Sequence, residues 1–468
     1  MLLDVPAGID GWRALLVDGE TLPDGLTNAL AAATREQPEV AVWFLDHELL
    51  DESGGVTARS YLPELSPEYQ RHTDVIDGPL LVRAGLAGEV RRPAEADVAN
   101  GEQRAQRYAM TLRLIERGVA FGRLPGVVAR RRGPARVLGT EVVRTLVVAH
   151  LQRSGIAAEV TPTAHTGVVR VRRTRTEWPR VSVVIPTRGG QGRVWSAQRT
   201  FVVHAVESLL RRSTHPDIEV VVVADDSTPA HVVSTLERLV PARVRVVPWT
   251  RPFNFSEKIN AGVAAATGDL LLLLNDDTEL IEPASLEAMA ALFADPAAPG
   301  SIGAVGAVGA RLLFDDGTLQ HAGHVYNEQP LHAFLAWPGD HPGPGHRLMV
   351  TRECSGVTAA ALMVDRATFV DVGGFPEDFP LDYNDVAFCL AVRRSGRRIL
   401  WTPDAAWFHF EGRTRQRGPR EDEWARLRAQ WGPQLDVDPY HHPELEVRRG
   451  DRLERVGRPA DSAAHAST

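Results

Sequence analysis

Residues Gly268 to Leu280 read GDLLLLLNDDTEL, five consecutive leucines that stop at two adjacent carboxylates. An apolar run of this kind, bounded by a turn residue and by acids, predicts a central parallel strand buried on both faces. Its end is expected at the crevice where open α/β sheets bind ligands. Two carboxylates fixed there repel one another unless a cation or hydrogen-bond donors lie between them. Asp276 and Asp277 therefore point to a hard metal ion or, on the plainer alternative, to a helix N-cap with a solvated acid beside it.

Working outward, Val181–Pro186 (VSVVIP) and Glu219–Ala224 (EVVVVA) are two more β-branched runs. The first ends in Pro186-Thr187-Arg188-Gly189-Gly190 and the second in Asp225-Asp226-Ser227-Thr228-Pro229. Between them, Phe201 to Arg212 spaces its apolar residues at helical intervals. Strand, helix, strand, helix, strand, with polar residues gathered at the strand ends, is the pattern of a doubly wound nucleotide-binding half. The absence of GxGxxG argues against a dinucleotide, and the absence of GxxxxGK[ST] argues against a P-loop.

The motifs VSVVIPTRG, VVVADDSTP, FNFSEKINAG, NDDTE, VGGF, YNDVAFCL and HFEG, in that order, resemble inverting family 2 glycosyltransferases of the GT-A fold. The nearest resemblance is to enzymes that build bacterial cell-surface polysaccharides of the O-antigen and rhamnan type. GTLQHAG (Gly317–Gly323) and WGPQLDVDPYHHPEL (Trp431–Leu445) resemble the same subgroup, so the likeness covers roughly the last three-fifths of the chain. It implies an α/β protein, a Rossmann-like mixed sheet with flanking helices. It also implies a nucleotide-sugar donor linked to UDP or dTDP, Mg²⁺ or Mn²⁺ as cofactor, and a hydroxyl of a glycan or lipid-linked glycan as acceptor.

Carried over position by position, the resemblance makes Asp277 the direct metal ligand and assigns Asp276 to the ribose or to a metal-bound water. His409 is a further metal ligand, better suited to Mn²⁺ than to Mg²⁺, or else a satisfied strand histidine. Pro186, Thr187 and Arg188 line the base. One of Asp225 and Asp226 reads it; the family's Asp-x-Gly-Ser lacks its Gly here, which leaves open which. Lys258 is the only lysine in the chain. A compact ammonium there can meet a diphosphate, or its isolation simply reflects an Arg-biased composition. Asn254 and Asn260 are expected to cap or cross-link backbone rather than touch the donor. Asp385, at the start of DVAFCLAVRRSG, matches the family's base position, with Asn384 where Glu is usual; the alternative is an ordinary acid at a helix N-terminus. The acceptor side falls to Cys354–Thr358 and Gly373–Phe375, with 329–347 as a candidate lid. His321, His324 and His332 lie near one another in sequence without metal-ligand spacing, so no second metal site is expected.

With 52 basic residues against 60 acidic ones in 468, the net charge of −8 speaks against nucleic acid. Two cysteines, Cys354 and Cys389, fit a reduced cytoplasmic setting. No apolar run is long enough to span a bilayer, which leaves peripheral association with the inner membrane face. A non-catalytic scaffold in a polysaccharide assembly complex is the competing reading. A sugar-phosphate nucleotidyltransferase is disfavoured, since no Gly-rich, Arg-containing loop follows the first strand.

The N-terminal region repeats the catalytic half in outline. Trp12–Leu30 parallels the stretch from Gly268, Asp77–Val90 parallels AAALMVDRATFVDVGGF, and Tyr108–Gly133 parallels the stretch from Tyr383 to Gly412. Asp18-Gly19 stands for Asp276-Asp277, and Tyr108-Ala109 for Asn384-Asp385, so the acids are mostly gone. Residues 1–135 are thus expected to form a degenerate, truncated GT-A-like half-domain, with a misassigned start as one explanation of the truncation. Residues 136–178 are read as a connector, with a helical pattern over Glu141–Ser154 and a short strand over Val168–Arg172, 179–445 as the catalytic domain and 446–468 as a disordered tail. The Arg-rich end of the connector reads as solvated linker, or alternatively as a contact for anionic lipid or lipid-diphosphate.

Overall fold

The computed structural model describes residues 2–4, 11–89, 102–133, 137–294, 303–410, 420–442, 445–448 and 452–455. The chain divides into two compact units, Met1–Thr174 with Asp295–Ala304 and Pro344–Glu353, and Arg175–Ala294 with Val305–Gly343 and Cys354–Thr468.

The first unit runs β1 (Leu2–Asp4), β2 (Trp12–Leu15), β3 (Glu20–Thr21), α1 (Leu26–Glu36), β4 (Val40–Leu50), β5 (Val56–Ser60), α2 (Pro67–Gln70), β6 (Leu80–Arg83), α3 (Ala84–Glu89), α4 (Gln103–Glu116), β7 (Ala120–Arg132), α5 (Thr140–Arg153), β8 (Ala158–Pro162) and β9 (Val169–Arg173). Its sheet has the order β1-β2-β6-β4-β7-β3, with β5 alongside β4. The segment read as a connector is a packed part of this unit as far as Thr174. Helix α5 buries Val143, Leu146, Val147 and Leu151 with Tyr108 and Leu112 of α4 and Val169 and Val171 of β9. An apolar face of that size does not stay in water. The Arg-rich run begins within β9, the short strand expected there, which alternates buried and exposed positions, and Arg173 is buried because Glu68 meets it at 2.8 Å.

In the second unit the elements are β10 (Val181–Thr187), β11 (Gln191–Val194), β12 (Ala197–Thr200), α6 (Phe201–Arg212), β13 (Ile218–Asp225), α7 (Ala230–Leu239), β14 (Val244–Trp249), α8 (Phe255–Ala265), β15 (Leu270–Leu274), β16 (Thr278–Leu280), α9 (Ser285–Ala290), β17 (Val305–Leu313), β18 (Leu319–His321), β19 (His324–Asn327) and β20 (Gln329–His332). After β21 (Arg352–Glu353), which falls in the first unit, come β22 (Ala361–Asp365), α10 (Arg366–Asp371), α11 (Asn384–Arg394), β23 (Arg398–His409) and α12 (Glu421–Asp436). The sheet order is β14-β13-β10-β15-β22-β17-β23-β16, the mixed, Rossmann-like sheet expected of a GT-A fold. Strands β14, β13, β10 and β15 are parallel, and β22 enters antiparallel between β15 and β17. All five leucines of β15 are buried, as a strand covered on both faces requires. Helix α8 lies close against the sheet at Gly262, where a Cβ would stand 2.4 Å from Val184 Cγ1. That approach brings Lys258, one turn earlier, to the end of β10.

The strand path of the second unit recurs in the first. Order and sense of β15-β22-β17-β23-β16 are those of β2-β6-β4-β7-β3, antiparallel, antiparallel, parallel, antiparallel. Even the side pairings correspond, β18 on β17 and β5 on β4. Among the described residues, β10, β13 and β14 have no parallel counterpart in the first unit; β1 runs antiparallel on β2 instead. The last pair of strands shows what has changed, because Thr278 faces His409 across β16 and β23, whereas Glu20 faces Arg131 across β3 and β7.

A short hairpin, β24 (Leu445–Arg448) with β25 (Arg452–Arg455), stands in the region read as a disordered tail. Residues 456–468 lie outside the described residues, as does Glu411 of the HFEG motif. Among the described residues no helix is long and apolar enough to cross a membrane.

Candidate active site

Every sequence-assigned site residue lies at the end of a strand or the start of a helix of the second unit. Strand β10 ends at Thr187, whose hydroxyl donates to Asp276 Oδ2 at 2.6 Å and accepts from the Gly189 N–H at 2.9 Å. Pro186 is buried within β10. Arg188 is exposed, with its guanidinium 5.6 Å from the Phe253 ring centroid. Strand β13 delivers Asp225, which accepts from Lys258 Nζ at 2.6 Å, while Asp226 is exposed in the following turn.

Lys258 is fully buried, and its Nζ also donates to the Thr187 carbonyl at 2.9 Å. Burial pushes its pKa below the ordinary lysine value, and Asp225 opposes that. At least two of its donors are therefore spent on the protein, tying the end of β10 to the end of β13. Asn254 and Asn260 hold backbone, as expected. Asn254 caps α8 by accepting from the Glu257 N–H, and Asn260 bonds both the N–H and the carbonyl of Phe375 at 2.9 Å.

Beyond β15 the chain turns through Asn275, Asp276 and Asp277 into β16. Deep seating, and then the neighbouring Asp277 charge, push Asp276 up to about 7. Burial disfavours charge on Asp277 too, but His409 outweighs it and brings Asp277 below the ordinary carboxylate value. Asp277 Oδ1 is 3.1 Å from His409 Nε2, and the Phe410 N–H anchors the Asp277 carbonyl at 2.9 Å. The other His409 nitrogen, Nδ1, lies 2.6 Å from Gln320 Oε1. An amide oxygen can only accept, so Nδ1 carries a proton, and Nε2, once it gives up its own proton, would turn a lone pair toward the carboxylate. Asn275 Nδ2 approaches the same Nε2 at 3.1 Å, and Asp277 Oδ1 is buried without a hydrogen-bond partner. A ring nitrogen and a carboxylate oxygen facing one another, one of them orphaned, fit a divalent cation.

Asp385 stands in the first turn of α11, entered through Tyr383 at φ 58°. Its Oδ1 accepts from the Val386 N–H at 2.8 Å and its Oδ2 from the Ala359 N–H at 3.2 Å. Two backbone donors fix the carboxylate without consuming all of its lone pairs. It faces a cavity of ≈ 320 Å³ lined also by Phe255, Asn275, Gln320, His324, Pro330, His332, Thr358, Asn384 and His409. Burial pushes His324 down to about 4, with Asp385 working the other way. Of the acceptor-side segments, Thr358 reaches this cavity, while Cys354 and Cys389 are buried free thiols.

Gln320 was not singled out from sequence, although it lies inside the GTLQHAG motif. The role of Thr187 in holding Asp276 was also missed. Both are contacts between residues some 90 positions apart, 89 in each case.

Residues 182–348 match the family model described as Glycosyl transferase family 2. The O-antigen biosynthesis protein RfbC of Myxococcus xanthus is 30% identical over 449 residues, 92% of this chain and 33% of that protein. An uncharacterized protein of Sinorhizobium fredii is 30% identical over 474 residues, 93% of this chain and 48% of its own length. The chain thus spans between a third and a half of the curated relatives it matches. Among solved structures, one of GalNAc-T7 with UDP, GalNAc and Mn²⁺ is 14% identical with a TM-score of 0.41, covering 55% of this chain and 50% of that one. That likeness is too distant to bear on function.

Proposed function

We propose that this chain, which carries a family 2 glycosyltransferase domain, is an inverting, metal-dependent enzyme that moves a sugar from a nucleotide-diphosphate donor to a hydroxyl of a cell-surface polysaccharide or lipid-linked glycan. The observation that carries the reading is the orphaned Asp277 Oδ1 facing His409 Nε2 at 3.1 Å. Asp277 and His409 would hold Mg²⁺ or Mn²⁺, which supplies charge stabilisation for a diphosphate leaving group.

The remaining roles belong to the chain's own groups. Thr187 orients Asp276 toward the ribose, and Lys258 holds Asp225 at the end of β13, where a carboxylate can accept from a pyrimidine N–H. Asp226, exposed beside it, is the alternative reader of the base. Pro186 and Arg188 flank the same crevice. Asp385 takes the proton of the acceptor hydroxyl as its oxygen bonds to the anomeric carbon and the carbon–oxygen bond to the diphosphate breaks. Its two backbone hydrogen bonds keep it aimed while it does so. The O-antigen relative supports a polysaccharide product.

Calorimetric titration with UDP, dTDP and GDP, with and without Mn²⁺, tests this. One nucleotide should bind only with metal, and Asp277→Ala should abolish that binding. Absence of binding by all three would sink the enzyme reading in favour of a scaffold.

A further inference from the structure

We propose that His321, His324 and His332 form a second metal site, an all-imidazole one for a transition ion of the Zn²⁺ class. The sequence hides it, because the spacing of these residues matches no metal motif. Folding assembles it. Strands β19 and β20 pair antiparallel with His324 directly opposite His332, which puts both side chains on one face. His321 ends β18 and is brought back to them through Gly323, at φ +90°. One nitrogen from each ring lies within 4.8 Å of the other two.

The ring geometry is that of ligands around one ion. A Zn–N bond of about 2.0–2.1 Å puts each imidazole centroid about 3.2 Å from the metal, so a tetrahedral site spaces its centroids about 5.2 Å apart. Here the three separations are 4.9, 5.1 and 5.2 Å. The rings meet edge to face, at 78°, 79° and 85°, splayed rather than stacked. Nδ1 of buried His324 has no hydrogen-bond partner. Three imidazoles with no carboxylate or thiolate among them favour Zn²⁺, Co²⁺ or Ni²⁺ over Mg²⁺ or Ca²⁺.

One contact bears on loading. The Thr358 N–H can only donate, and it points at His321 Nε2 at 3.2 Å. Without an ion, the His321 proton therefore sits on Nδ1, facing His332 Nδ1 at 2.8 Å. An ion bound at Nδ1 moves that proton to Nε2 and gives up the Thr358 contact, a small loss beside a metal–nitrogen bond. His324 and His332 also line the cavity that holds Asp385, so the ion would sit in its wall. The site does not depend on the donor reading, since it shares no ligand with Asp277 and His409.

The test uses the full chain, stripped with chelator and titrated with Co²⁺ and Zn²⁺. We expect one equivalent of Co²⁺ to give the visible d–d bands of a tetrahedral site, and Zn²⁺ to displace it. Removing even an outer partner of a ligand costs about 10–100-fold in affinity, so His332→Gln should weaken binding by at least about 100-fold. Its melting temperature in chelator should stay at the wild-type value. His332→Cys keeps a ligand, so it should retain the ion and add a thiolate-to-Co²⁺ charge-transfer band, which covers the case in which His332→Gln fails to fold. Asp277→Ala/His409→Ala should leave the d–d bands intact. The proposal is overturned if no tetrahedral spectrum appears, or if the spectrum is lost with the Asp277/His409 pair and survives in His332→Gln.

Discussion

Gln320→Ala should weaken Mn²⁺ binding without touching either proposed ligand. Gln320 is 2% exposed, and its Oε1 accepts from His409 Nδ1 at 2.6 Å, which fixes both the tautomer and the plane of the ring. With that acceptor removed, the ring is free to turn, and the proton can move to Nε2, where it blocks coordination. Loss of such an outer partner typically lowers metal affinity about 10–100-fold, or about 1.4–2.7 kcal/mol. The ceiling agrees with the cost of leaving a buried N–H without its acceptor, about 1–3 kcal/mol. Titration of Mn²⁺ by electron paramagnetic resonance, at saturating nucleotide, measures it directly. Gln320→Glu keeps an acceptor at the same place and should bind Mn²⁺ at least as well as the native chain. Equal Mn²⁺ affinity in Gln320→Ala and the native chain would refute the argument that His409 is held as a ligand.

Asp385→Asn should lower turnover by about 10²–10⁴ while nucleotide affinity stays within about twofold, read by product formation and calorimetry side by side; a matching loss of binding would remove its role as base. Lys258→Met strands the Asp225 carboxylate, so it should destabilise the fold by about 3 kcal/mol in urea unfolding, and Lys258→Met/Asp225→Leu should recover part of that. An effect below about 1 kcal/mol would mean that the pair does not hold β10 to β13. His150 gives a pH dependence. It is buried, it accepts from the Arg71 Nε–H, and its Nδ1 donates to Glu116. Burial pushes its pKa from 6.5 down to about 4. The unfolded chain then binds the proton that the folded chain refuses, so stability should fall by up to about 3 kcal/mol as pH drops from about 6.5 toward 4. In His150→Gln the slope in that window should flatten, by urea midpoints; an unchanged slope would assign it to other groups.

The leucines of β15 could be read from sequence because burial on both faces leaves no room for alternation, and a five-residue window contains the whole signal. The antiparallel entry of β22 between β15 and β17 could not, since nothing in ALMVD states which neighbours it will pair with. The short strand at the end of the connector could be read too, because Val169 and Val171 alternate with arginines. What the local sequence does not state is that this strand packs into the first unit, where Glu68, about a hundred positions earlier, is what allows Arg173 inside. Asp276, Asp277 and Asp385 stood out because acids at strand and helix ends are conspicuous. The groups that hold Asp276, His409 and Asp385, respectively Thr187, Gln320 and the Ala359 N–H, are ordinary ones made specific only by folding.

The two matched sheets also differ in where their counter-charge comes from. In the first unit, Glu20 at the edge of the sheet is met by Arg107 at 2.8 and 2.9 Å and by Arg131 at 3.8 Å, cations that the chain carries with it. On the proposed reading, the corresponding corner of the second unit leaves Asp277 to a partner on loan from the surroundings. A tethered counter-ion makes a structure indifferent to the composition of its medium, whereas a borrowed one makes it answerable to supply. Chelation should therefore silence the second corner and leave the first untouched, so that one protein contains its own internal control for every metal-depletion experiment done on it.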